Sequence, residues 1–255
     1  MSVGKDGLVQ GVGPPLDLEV ERRRLLDEIV AAAEPAYRAF TAGILPTALH
    51  LYGVRVPDLR GIARVWQSVH PHVARADLLA LLDALWEGRS YEERALAMEL
   101  LGRYRRWIPT LTPAQLDRWR RQLDNWGLTD GLGTAIMGPW IMADPPARLP
   151  YLDALIASEA VWSRRLALVA TVPINRGRAS LPIPDLTLAL VDRVQAERDP
   201  MITKAVSWAL RELTKRHPEQ VAAYVAANRE RLPAFVVREV GNKLRTGRKN
   251  GYPAP

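Results

Sequence analysis

The sequence predicts an all-α chain, and three observations carry that expectation. From Leu18 onward apolar residues recur at three- and four-residue steps, as in Leu25, Leu26, Ile29 and Val30 or Leu78, Leu79, Leu82 and Leu85. That spacing lines one face of a helix. Segments end at proline, glycine or short polar stretches. No long run alternates apolar with polar residues, and Asn-Gly occurs only at Asn250-Gly251, so strand and hairpin signals are missing. About a dozen helices of two to four turns on short connections suggest antiparallel pairs stacked as an α-solenoid, with an irregular helical bundle as the alternative. No strict repeat is visible in the sequence, so any repeat is structural only.

The elements follow in order. Helices are expected near 17–33, 35–43, 56–69, 75–87, 90–105, 113–123, 127–142, 146–158, 162–173, 184–197, 201–216, 218–229 and 233–244, with boundaries good to a few residues. Ser90 and Glu93 are spaced for a capping box. Thr112-Pro113 and His217-Pro218 put proline in the first helical turn, where its missing N–H costs nothing. Residues 1–16 carry Gly4, Gly7, Gly11, Gly13 and Pro14-Pro15 and read as a flexible leader. Residues 17–244 read as a single helical repeat domain, and 245–255, with Arg245, Arg248 and Lys249, as a mobile basic tail.

Composition narrows the classes of function. The chain of 255 residues has no cysteine, which rules out a disulfide, a thiolate metal site and a cysteine nucleophile. A cytoplasmic location fits that composition. No signal peptide core is present in residues 1–15, and the longest apolar runs fall short of the ~20 residues that span a bilayer. The formal net charge of +7 and pI near 10.0 favour polyanionic partners, nucleic acid first among them.

Three stretches could carry chemistry. In Asn125-Trp126-Gly127-Leu128-Thr129-Asp130-Gly131-Leu132-Gly133, Trp126 and Asp130 are four apart and share a helical face. Glycines at 127, 131 and 133 weaken a helix by about 0.5–1 kcal/mol each, which points to close approach. On spacing alone the plainer reading is that Asp130 caps a helix and Trp126 is core. In Trp162-Ser163-Arg164-Arg165, paired arginines precede an apolar helix, either to meet phosphate or as a solvated helix start. Lys204, Trp208 and Arg211 share a face at i, i+4 and i+7, which suits a groove for phosphate and a sugar or base, or a buried indole with two snorkelling cations. His50, His70, His72 and His217 show no ligand spacing, and His70-Pro71-His72 reads as a loop.

In this order the three stretches resemble the AlkD-like DNA alkylation repair proteins, as do Tyr52-Gly53-Val54-Arg55-Val56-Pro57-Asp58-Leu59-Arg60 and Glu92-Glu93-Arg94-Ala95-Leu96-Ala97-Met98-Glu99-Leu100-Leu101. Five motifs in order cover most of the chain from about Ala36 to Leu244. The resemblance implies a curved α-solenoid of HEAT-like antiparallel helix pairs whose basic concave face holds duplex DNA. It implies hydrolysis of the N-glycosidic bond of cationic N3- and N7-alkylpurines, the opening step of base excision repair. By matching, Asp130 takes the catalytic aspartate position, Trp126 and Trp208 the two aromatic positions, and Arg165 the arginine position, with Arg164 next in register. Arg164, Lys204 and Arg211 are then DNA-binding residues. No metal or organic cofactor is implied. The partner is double-stranded DNA with alkylated purines, with no membrane and a monomeric chain. Two other readings stay open: a non-catalytic DNA binder that recognises damaged or branched DNA, and a protein-interaction scaffold.

Overall fold

The computed structural model describes residues 15–176 and 183–251. The leader up to residue 14, most of the Pro-rich stretch Ser180 to Pro184, and the last four residues of the expected tail lie outside them. The helices are α1 (Leu18–Ala31), α2 (Pro35–Ile44), α3 (Val56–Val69), α4 (Arg75–Trp86), α5 (Tyr91–Arg103), α6 (Pro113–Arg120), α7 (Trp126–Leu132), α8 (Gly138–Ala143), α9 (Pro145–Ile156), α10 (Val161–Arg176), α11 (Ile183–Asp192), α12 (Pro200–Leu213), α13 (Pro218–Ala227) and α14 (Ala234–Thr246). Among the described residues there is no strand, only an isolated bridge between His50 and Ser90. The expected all-α class is the class observed. No described helix is long and apolar enough to cross a membrane.

Two details differ from the periodicity. The helix expected over 127–142 is broken into α7, a wider π-turn over Gly133–Met137, and α8. A 3-10 turn over Arg105–Thr110, with Pro109 inside it, lies where the sequence offers no apolar repeat.

The described residues form two compact units. The first takes the chain up to Ile44 together with Leu49–Arg105. Its core is built where α5 meets α3 and α4 and where α1 lies on α4. Leu25, Ile29, Trp66, Leu78, Leu85, Trp86, Leu96 and Leu101 are all buried there. The Ser90–Glu93 capping box forms as expected. Its neighbour Glu92 is buried, and its carboxylate accepts the backbone N–H groups of Tyr52 (3.0 Å), Gly53 (2.8 Å) and Val54 (3.3 Å). A buried carboxylate is tolerated when backbone donors replace its water. Gly53 turns this loop at φ +87°, and a Cβ there would sit 2.6 Å from the Arg38 backbone nitrogen. The early motif and the Glu92 motif thus form one structural joint.

The second unit takes Leu45–Ala48 and the chain from Arg106 onward. α10 is its axis and packs against α7, the π-turn, α8, α9, α11 and α12. From Leu166 to Val172 α10 is buried without interruption, as a helix surrounded by neighbours must be. α12 in turn carries α14, α11 and α13. Gly133 and Gly138 let the π-turn lie directly on α10. A Cβ at Gly133 would come 2.8 Å from Val169 Cγ1, and one at Gly138 would come 2.7 Å from the Ala170 carbonyl.

Candidate active site

The site is built in the second unit, beginning with the cap of α7. Asp124 Oδ2 accepts from Thr47 Oγ1 and from the Ala48 N–H, both at 2.8 Å. Its other oxygen accepts from Asn125 Nδ2 at 2.7 Å. Asn125 is thereby fixed, and its Oδ1 accepts the Leu128 N–H at 2.9 Å as the N-cap of α7. The capping role falls to Asn125, which leaves Asp130 to project from the helix. Thr129 is buried and donates to the Asn125 carbonyl at 2.7 Å, so its hydroxyl is occupied within α7.

Asp130 meets Arg165. The guanidinium, on the buried face of α10, donates Nε to Oδ1 and Nη2 to Oδ2, both at 2.8 Å. This is the planar two-bond arrangement that arginine makes with a carboxylate. Arg165 also donates Nη1 to the Met201 carbonyl at 2.6 Å, in the first turn of α12. The Arg165 side chain is 6% exposed and that of Asp130 20%. Burial pushes the Asp130 carboxyl above its ordinary value, while the hydrogen bonds and charge of Arg165 restrain the rise.

From Arg165 the site continues onto α12. Arg165, Lys204, Trp208 and Arg211 line an open depression of about 490 Å³ with Phe235, Glu239 and Lys249. Lys204 is exposed and Trp208 half-buried. Arg211 Nε donates to Ser207 Oγ at 3.1 Å and lies 3.6 Å from Glu239 Oε2. Burial lowers the Arg211 guanidinium from its ordinary value, against the opposing charges of Glu239 and Glu212. It starts so high that it stays cationic.

The structure therefore gathers Asp130, Arg165, Lys204, Trp208 and Arg211 into one continuous set. Trp126 opens α7, half-buried and one turn before Asp130, but does not line the depression. Arg164 does not join the set. Its Nη1 donates to the Ser158 (2.8 Å) and Glu159 (2.7 Å) carbonyls and its Nη2 to Glu197 Oε2 (3.0 Å). In register it is Arg165 that reaches the aspartate. Glu212, beside Arg211 in the sequence, is buried and held by Arg176 (2.9 Å) and Lys215 (2.8 Å). Among the described residues no cluster of three His, Cys, Asp or Glu could hold a metal ion. His70 instead lies against Trp66, ring centres 4.4 Å apart.

Phe235 and Glu239 go unmarked in the sequence, and Lys249 reads there only as part of a basic tail. The first two are spaced i, i+4 on one face of α14, a signal that gains meaning only once α14 is known to pack on α12.

A family model described as DNA alkylation repair enzyme matches residues 25–244. The chain belongs to that family. Among solved structures, this family member is similar to an Enterococcus faecalis protein described as a predicted DNA alkylation repair enzyme, with TM-score 0.57 and 17% identity over 83% of this chain and 95% of that one. It is also similar to AlkD2 from Streptococcus mutans, with TM-score 0.50 and 15% identity over 75% of this chain and 88% of that one. At such identities the likeness establishes the shared helical fold. No curated protein sequence matches the chain.

Proposed function

We propose that this DNA alkylation repair enzyme is a DNA glycosylase that hydrolyses the N-glycosidic bond of cationic N3- and N7-alkylpurines in duplex DNA. The observation that carries the reading is the Asp130 carboxylate, partly exposed and oriented by Arg165, beside a depression that adds Lys204, Trp208 and Arg211.

An alkylpurine with a positive ring leaves with little acid assistance. The N-glycosidic bond breaks, its electron pair goes to the purine nitrogen and neutralises the ring, and positive charge develops at C1′ of the deoxyribose. An ionised Asp130 stabilises that charge. Water adds to C1′ and gives up a proton to Asp130 or to solvent, leaving an abasic site and a neutral alkylpurine. Arg165 does not consume this capacity. Each carboxylate oxygen has two lone pairs, and one contact per oxygen leaves the second free. The electron-rich indole of Trp208, and that of Trp126, favour a cationic lesion. Lys204 and Arg211 hold backbone phosphates.

One observation favours a second reading. The Asp130–Arg165–Met201 link also ties α7, α10 and α12 together, a role that a non-catalytic DNA binder could use. Release of 7-methylguanine from methylated duplex separates the two. On the glycosylase reading Asp130→Asn lowers release by about 100- to 1,000-fold and retains duplex affinity. Equal release by both proteins would remove the assigned role.

A further inference from the structure

The C-terminal segment after α14 is folded back against that helix. Gly247 adopts the left-handed conformation (φ +72°), and its N–H donates to the Lys243 carbonyl at 2.9 Å. Lys243 Nζ donates to the Gly247 carbonyl at 2.5 Å. The Arg248 N–H donates to Thr246 Oγ1 at 3.2 Å, and Asn242 Nδ2 donates to the Lys249 carbonyl at 3.2 Å. Gly251, at φ +79°, lies on the Asn242 side chain. These bonds fix the backbone on both sides of Lys249.

The clasp delivers one side chain to the depression. Lys249 Nζ lies 3.2 Å from Glu239 Oε1, and the side chain remains 58% exposed. Glu239 is 15% exposed and itself fixed, since Ser207 Oγ donates to its other oxygen at 2.5 Å. An ammonium has three donors, so the contact to Glu239 leaves two for a ligand. The charge balance shows what Lys249 adds. Arg165 is matched by Asp130 and one further cation by Glu239, so Lys204 and Arg211 alone would leave the depression with one excess positive charge. Lys249 raises the excess to two.

We propose that Lys249 is a phosphate-binding residue for duplex DNA, presented by the C-terminal clasp, with Glu239 as its positioning residue. The inference rests on the reading that this depression faces the DNA backbone. It adds a contact from a segment whose sequence reads as a loose basic tail.

The test is the salt dependence of binding to undamaged duplex for the full chain and for Lys249→Ala, Lys249→Arg and Arg248→Ala. Arg248 is exposed and adjacent but does not line the depression. Each phosphate neutralised contributes roughly −0.9 to the slope of log affinity against log salt. Lys249→Ala is expected to make the slope less steep by about that amount, while Lys249→Arg and Arg248→Ala keep the parent slope. An unchanged slope for Lys249→Ala overturns the proposal. So does an equal loss in Arg248→Ala, which would mean diffuse attraction by the tail, and so does a parent chain with no duplex affinity. Base release by the same variants reports separately on the glycosylase reading: Lys249 can fail as a contact while release persists.

Discussion

Asp130 carries two opposing influences on one carboxyl. Burial disfavours its charge, and the hydrogen bonds and charge of Arg165 oppose burial without cancelling it. The form that stabilises a sugar cation is the ionised one, and it is lost as pH falls through the raised value. Arg165→Gln removes the restraint, so the Asp130 value rises further and the acid limb of alkylpurine release moves toward higher pH. The lesion's fixed charge supplies no compensating limb there. A pH profile of release for parent and variant checks this, and a limb that stays put or moves to lower pH would deny Arg165 its electrostatic role. The same substitution leaves a mostly buried carboxylate without its partner. Breaking a buried pair from one side costs about 3–5 kcal/mol. The residual exposure of Asp130 favours the lower end, read as a shift in the urea unfolding midpoint.

At the scale of elements, the aspartate is aimed by a helix that changes its winding just after it. The π-turn over Gly133–Met137 lies on α10 because Gly133 and Gly138 carry no Cβ. Gly138→Ala would meet Pro173 and the Ala170 carbonyl, and backbone cannot step aside. A loss of about 1–3 kcal/mol is expected, as for overpacking in a core, with reduced base release because the π-turn and the start of α8, which continue from α7, must move off α10. Gly102→Ala is the contrast: nothing lies within 4 Å of its Cβ on α5. The gain in helix propensity should stabilise the chain by about 0.5–1 kcal/mol. Unfolding midpoints for the two variants should therefore move in opposite directions.

The element scale also explains what was legible in the sequence. Helix positions could be read because each amphipathic stripe is a local pattern, and Ser90–Glu93 because a capping box is a four-residue pattern. The Trp126–Asp130 and Lys204–Trp208–Arg211 faces could be read for the same reason. The π-turn could not, since one extra residue in a helical turn leaves no compositional mark. The glycines near Asp130 suggested close approach, and for Gly133 the neighbour is Val169 of α10. Lys249 was hidden because its position depends on hydrogen bonds to Asn242 and Lys243 rather than on an apolar pattern.

Across the whole molecule, the charge balance makes acid the condition under which the fold should weaken. Thirty-five Lys and Arg face 28 Asp and Glu, so protonating carboxylates leaves the cations increasingly uncompensated. Particular carboxylates sharpen the effect. Burial pushes Asp117 up, but hydrogen bonds from Tyr151 and Arg120 and nearby guanidinium charges outweigh it and leave the group below its ordinary value. Glu212 is likewise lowered, with Arg176 and Lys215 overcoming burial. A carboxyl depressed by folding contributes stability that is complete above its unfolded value and is lost as pH falls through the folded one. Asp130 runs the other way: its raised value means that ionisation costs stability as pH climbs from the ordinary carboxylate range to the folded value. The two depressed groups and the growing net charge act together against the single raised group, and the urea midpoint is expected to fall as pH drops below about 4. In Asp130→Asn the decline should steepen, because protonation of Asp130 no longer offsets it. Added salt should recover part of the loss at acid pH, since 0.1 M salt screens exposed charges beyond about 10 Å, but little of the part due to the paired carboxylates. A midpoint constant from neutral pH to pH 3 would mean that the Asp117 and Glu212 pairs contribute no net stability to the fold.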